Sequence, residues 1–368
     1  MSSKIITGDG RLHLAYPGHI TIEPPGSLTP ALATECGKAY DVFTGHPGTF
    51  QGQAAAFAAA GCEVGLYTKS NQLSDGSHPE AWYSHKLDST GTVVRRKDGY
   101  WNVYPMEPSN TAWRDFHVTD TEALMAKIPE ATVVFEDSAG SFSYTQGISP
   151  RAGEKGPLLP GSKIVYDKTT WLTKVRDNLD YWQGQMPAFR HVLNGMEVAT
   201  VPLYTPTIGQ IEGAFRSVSG TLPTLSQWQS DVKLILSGQA AGWTPWVFVK
   251  VPKWDVGYTD PFRALCVPTA YLCDMGSLVY GMTAMEGSAG AWTTLEHRHP
   301  WYNANLGPAT SGIQYQGNTA YREFENGLVV VNPDTIPVGF TPPGGGAPIT
   351  LANQTGGIYR KTVTWNPI

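Results

Sequence analysis

A (β/α)8 barrel, preceded by an extended arm and followed by a small β unit, is the fold this sequence predicts. Three observations carry that expectation. Eight strand candidates, most of them separated by helical patterns, follow one another between residues 38 and 300, as a barrel of parallel strands requires. One of them, within residues 131–140, is an uninterrupted β-favouring run that suits a strand buried on both faces, and it stops at Glu136 and Asp137 followed by small, turn-forming residues. Past residue 320 the helical patterns cease and only β-like runs remain.

Residues 1–37, rich in Gly and Pro with short β-like pieces at 11–15 and 19–23, predict an arm ahead of the main fold. Residues 40–45 read as a strand, 51–60 as an Ala-rich helix and 63–68 as the next strand, a minimal βαβ unit. A long excursion follows. Turn signals at residues 74–76, 89–91 and 98–99 predict a β-hairpin surrounded by Trp82, Tyr83, Tyr100 and Trp101, overhanging the barrel mouth. Residues 102–106 read as a third strand, and Ser109 or Asn110 as the cap of a helix carrying Trp113, Phe116, Leu124 and Ile128. The 131–137 strand comes next, then a Gly-rich loop over 138–162. A helix with Trp171, Val175, Leu179 and Trp182 at helical spacing leads to a fifth strand at 190–194. A sixth, at 209–215, has Glu212 embedded in it; Trp228, Val232 and Ile235 mark the helix behind. Residues 244–251 and 277–282 complete the set, flanking a helix that Asp260 and Pro261 should start and Pro268 should kink. The alternative, an open doubly wound sheet, lacks the Gly-rich nucleotide-binding patterns that usually accompany it. The expected division is therefore an arm at 1–37, a barrel at 38–318 and a β unit at 319–368.

Composition narrows the function classes. Charged residues make up only 15% of the chain, while Gly (40) and Pro (28) are abundant, which favours a compact protein with long ordered loops over a disordered one. The net charge of -5 and the lack of any basic cluster argue against nucleic acid and anionic membrane surfaces as partners. Twelve Trp are more than a core of this size needs, and such rings suit sugar faces and protein interfaces alike. Cys36, Cys62, Cys266 and Cys273 form no CxxC pair and read as reduced core residues. No apolar stretch near the N-terminus marks a signal peptide, and none is long enough to span a membrane.

Short ordered motifs add a resemblance. Residues 104–113 (YPMEPSNTAW), 135–137 (FED), 211–215 (IEGAF), 305–308 (NLGP) and 322–333 (REFENGLVVVNP) resemble glycoside-hydrolase-like TIM barrels related to the α-galactosidase type. The likeness covers about residues 39 to 335. Two departures stand out: Glu107 occupies a place where that family more often has Asp, and the usual Asp-Gly before the fourth strand's apolar run is missing. The resemblance implies a glycan or polysaccharide, including a cell-envelope glycan, as partner. Because such barrels resemble domains of phage tail proteins, it also implies a virion location among other tail proteins, with the cytoplasm as the alternative.

Glycoside hydrolysis needs two carboxyl groups flanking the bond, one as general acid and one ionised. Strands four and six supply them: Asp137 as nucleophile or base and Glu212 as acid. Asp41, Tyr67, Glu107, Asn194 and Lys250, at or near strand ends, are candidate ligands for sugar hydroxyls, and Trp101, Trp254 and Trp292 are candidate stacking platforms. Each also has a purely structural reading. His297 and His299, two apart with no third ligand nearby, read as a polar loop, so no metal or cofactor is expected. Acyl transfer is disfavoured because Gly-x-Ser-x-Gly is absent. Two functions remain open: a glycoside hydrolase, and a non-catalytic carbohydrate-binding or structural tail component.

Overall fold

The structure, a computed structural model, describes residues 13–17, 28–99, 102–198, 200–204, 208–215, 221–251, 256–273, 279–284, 300–361 and 365–368. Eight strands close into a barrel: β1 His13–Pro17, β2 Val42–Gly45, β3 Glu63–Lys69, β4 Ala131–Asp137, β5 Arg190–Asn194, β6 Ile208–Glu212, β7 Thr244–Val251 and β8 Val279–Ala284. All neighbours are parallel, and β1 closes the ring by pairing with both β2 and β8. This is the TIM-barrel fold that the order of strands and helices predicts.

One strand differs from expectation. The barrel takes its first strand from inside the segment read as an arm, while residues 102–106 stay outside the barrel. There Tyr104–Pro105 pairs antiparallel with Gln72–Leu73. The physical reason is Pro105, which has no N–H to donate and so cannot serve a strand bonded on both sides. The described residues between β3 and the helix Thr111–Met125 thus form an insertion outside the barrel, which contains the expected hairpin as His85–Leu87 against Val93–Arg95. Asn110 caps that helix, its side chain accepting from Trp113 N at 2.9 Å. The helix Val256–Cys273 begins ahead of Pro261, which lies inside it together with Pro268.

Strand alternation builds two cores at once. Val133 and Phe135 of β4 point into the barrel with Val42, Tyr67, Val192, Ile208 and Trp246. Val134, Leu66 and Leu193 point outward into the larger core shared with the helices. Inside the barrel Phe135 stacks on Tyr67 at 5.5 Å and meets Trp246 edge-on at 5.6 Å. This aromatic plug closes the barrel beneath its C-terminal end.

The C-terminal unit is an antiparallel sheet of five strands with a two-stranded ribbon against it. Its central strand, Gly327–Asn332, is buried along its whole length because it serves two cores: Val329 and Val331 join the barrel core, Leu328 and Val330 pack under Phe340 and Leu351. Gly356 lets the sheet approach the helix Val256–Cys273 closely, since a Cβ there would fall 2.6 Å from Pro268 Cβ. All four cysteines are buried and none forms a disulfide. Among the described residues no helix is long and apolar enough to cross a membrane.

Candidate active site

Four consecutive strands end on polar side chains. Lys69, Asp137, Asn194 and Glu212 are the last residues of β3, β4, β5 and β6. All four line one cavity of about 260 Å³ at the C-terminal end of the barrel, with Tyr67, Phe135, Gln210 and Phe248 in its walls and floor. Loops complete it through His46, Gln72, Phe142 and Gln146. Period-two alternation explains the vertical order, since Tyr67, Phe135 and Gln210 each lie two residues before a strand-end residue and share its face.

Asn194 ties the two acids together. Its Nδ2 donates to Asp137 Oδ1 at 2.6 Å and to Glu212 Oε2 at 2.7 Å, while its Oδ1 accepts from Gln210 Nε2 at 2.9 Å. The bonded carboxylate oxygens are therefore no farther apart than the sum of two short hydrogen bonds. Asp137 also accepts from the Tyr67 hydroxyl and from Ser138 N at 2.7 Å. Three donors thus meet its charge. Glu212 lies exposed to the cavity at the end of β6. Burial, together with the neighbouring Asp137 carboxylate, pushes the Tyr67 phenol well above its ordinary range, so it stays a donor. Burial pulls the Lys69 ammonium below its usual range against the opposing pull of Asp137.

Backbone contacts fix Asn194. Gly140 and Gly195 meet main chain to main chain: a Cβ at Gly140 would lie 2.0 Å from Gly195 O, and Gly195 has φ +103. Ala139 N donates to Asn194 O at 2.9 Å, and Tyr204 Oη to Ala139 O at 2.6 Å. The loops after β4 and β5 consequently hold one another, and with them the bridge between the acids.

The other expected ligands lie elsewhere or outside the description. Asp41 immediately precedes β2 at its N-terminal end, opposite the mouth, where its carbonyl accepts from Glu63 N at 2.8 Å. Glu107 is buried away from the cavity and accepts from Ser109 Oγ at 2.7 Å and Tyr166 Oη at 2.8 Å, burial raising its carboxyl. Both differ from the expected mouth position for the same reason: neither ends a barrel strand. Lys250 belongs to β7, near its C-terminal end, but its side chain is outside the described residues, as are Trp101, Trp254, Trp292, His297 and His299. Lys69 and Gln210 were findable in the sequence, as alternation from Tyr67 and Glu212 points to them. Phe142 and Gln146 come from a loop whose path only the fold reveals.

No family model and no curated protein matches the chain. Solved structures do. The chain is similar to a noncanonic maltogenic α-amylase from Thermotoga neapolitana (11% identity, TM-score 0.52, 98% of each chain covered). It is also similar to a cyclic α-maltosyl-(1→6)-maltose hydrolase from Arthrobacter globiformis (12%, TM-score 0.53, 96% of this chain and 98% of that one). A third is a GH36 α-galactosidase from Geobacillus stearothermophilus (12%, TM-score 0.51, 97% of this chain and 56% of that one). At such identities the likeness is one of fold: the chain shares the barrel architecture of these glycoside hydrolases.

Proposed function

We propose that this chain is a glycoside hydrolase that works with retention of anomeric configuration. The observation that carries the reading is the pair Asp137 and Glu212, joined through a single Asn194 nitrogen in a cavity at the C-terminal end of the barrel. Retaining enzymes hold their carboxyl groups about 5–5.5 Å apart, inverting ones farther to admit a water, and two acids sharing one donor fit the closer spacing. Asp137, held by three donors, is the nucleophile; it attacks the anomeric carbon as Glu212, open to the cavity, gives its proton to the leaving oxygen. Glu212 then takes a proton from water as that water attacks the glycosyl–Asp137 ester and releases the sugar. Asn194 aligns both groups, and the Tyr67 bond to Asp137 weakens as the ester forms and is restored as hydrolysis returns the carboxylate. The fold likeness to glycoside hydrolases supports a glycan as the partner.

The test is reducing-end release from a panel of polysaccharides, followed for any active substrate by proton NMR of the first-formed anomer. Retention and loss of turnover in Asp137→Asn and Glu212→Gln are expected. Release that survives both substitutions would remove these residues from the chemistry, and binding with no release by the wild type would make the barrel a glycan-binding module.

A further inference from the structure

The cavity is polarised, and its two walls want different things from a ligand. On the side of β4 to β6 stand acceptors: Asp137, Glu212 and Gln210, whose Oε1 is buried without a hydrogen-bond partner. On the side of β3 and the loop after β4 stand donors. Lys69 ends β3 in register with Asp137 and lines the cavity, yet among the described residues no carboxylate lies within ion-pair distance of its ammonium and no hydrogen bond engages it. Gln146, only 2% exposed, spends its Oε1 on Gln72 Nε2 at 2.9 Å, and its own Nε2 is buried with no partner. A buried amide N–H left unmet costs about 1–3 kcal/mol, and a half-buried ammonium carries a further desolvation cost. Binding a neutral sugar hydroxyl would answer the amide but leave the charge.

We infer that the sugar bound next to Asp137 carries an anionic substituent, which Lys69 and the Gln146 amide receive while the acceptor wall takes the ring hydroxyls. The inference rests on the glycan-hydrolase reading and narrows its substrate class to acidic glycans. Carboxylate, sulfate and phosphate share the required chemistry of several acceptor oxygens on one negative group. Lys69 is here a specificity-determining residue: it touches substrate away from the bond that breaks, and no step of the reaction passes through it.

The experiment measures binding by NMR titration in Glu212→Gln, a background without turnover, using methyl glycosides of glucuronic and galacturonic acid, their neutral glucose and galactose counterparts, and galactose 6-sulfate and 6-phosphate. At least one anionic probe should bind about tenfold or more tightly than its neutral partner, as one charged hydrogen bond implies, and the tightest probe identifies the anion. Adding Lys69→Met should close that gap, Lys69→Arg should keep part of it, and Gln146→Leu should narrow it. Equal binding of charged and neutral probes, a gap that survives Lys69→Met, or no binding of any probe would overturn the inference. The two readings fail separately. Reducing-end release from a neutral glycan without anion preference removes only the acidic-substrate inference, whereas anion preference with no release from any glycan removes only the hydrolase.

Discussion

Glu136 and Asp137 are chemically near-identical neighbours, and the molecule treats them as opposites. Glu136 points out of the barrel, is 0% exposed, and sits 3.2 Å from His117 Nε2 and 3.8 Å from His191 Nδ1. His117 in turn packs on the Trp182 ring at 4.0 Å. Burial alone would raise this carboxyl, but the two imidazoles outweigh it and bring it down to about 2. Asp137 points inward to the cavity, where donors surround it and a ligand can reach it. One acid fastens a strand to its helix, while the other is presented for reaction. The difference lies in which face of β4 each occupies, since successive residues of a strand face opposite ways.

The largest expected effect sharpens that contrast. Asp137→Asn should lower turnover by about three to five orders of magnitude, as loss of a nucleophile does, with the melting temperature nearly unchanged because the amide still accepts from Asn194 and Ser138. Glu136→Gln should do the reverse: turnover stays within a few-fold while stability drops by roughly 3 kcal/mol, the scale for breaking a buried ion pair. Urea unfolding and reducing-end assays on both variants decide it. If Glu136→Gln abolished turnover without destabilising the fold, the assignment of roles to the two faces would be broken. Acid adds a second check. A carboxyl lowered in the folded state contributes stability above its ordinary value of 4.5 that is lost as pH falls toward about 2, so the variant should show a shallower acid limb.

A smaller effect probes how Asp137 is held. Tyr67→Phe removes one of its three donors and leaves the Phe135 stack in place. A hydrogen bond to a charged group is worth about 1.5–3 kcal/mol, so turnover should fall roughly tenfold to a hundredfold. The same substitution at Tyr166, which donates to the buried Glu107, should cost stability and spare the rate. Equal rate losses at the two tyrosines would mean that Glu107 belongs to the reaction after all.

The faces of β4 were legible because its apolar run, residues 132–135, fixes both the strand and its alternation, and the resemblance to known barrels singled out Asp137 and Glu212. Seven of the eight barrel strands were legible for the same reason. β1 was not. His-Leu-Ala-Tyr-Pro is a short mixed run among Gly and Pro residues, and only its pairing with β2 and β8 makes it part of the barrel. The donor wall was half legible: Lys69 follows Tyr67 on the same face, whereas Gln146 reaches the cavity through the loop after β4, whose route depends on the Gly140–Gly195 contact. Asp41 misled because the strand starts only at Val42, which leaves the acid ahead of it, and Glu107 because the run before it pairs with Gln72–Leu73 outside the barrel.

The smallest effect repeats the contrast on β6. Glu212 ends that strand in the cavity, while Asp231, on the helix Leu225–Ala240 behind it, accepts from Phe215 N at 2.7 Å, where Phe215 adopts φ 57. Burial pushes the Asp231 carboxyl up from 3.8 to about 6, and the Phe215 hydrogen bond offsets only part of this. A carboxyl raised in the folded state keeps its proton between those values while the unfolded chain releases it, so stability falls as pH rises from about 4 to about 6 and then levels off. The resulting penalty at neutral pH is on the order of 1–3 kcal/mol. Asp231→Asn preserves an acceptor for Phe215 N and has no charge to bury. Its melting temperature should therefore exceed that of the wild type at pH 7.5, with the difference vanishing by pH 4. A variant less stable at both values would show that Asp231 acts as an ion whose charge the Phe215 turn needs, placing it with Glu136 on the structural side of the comparison.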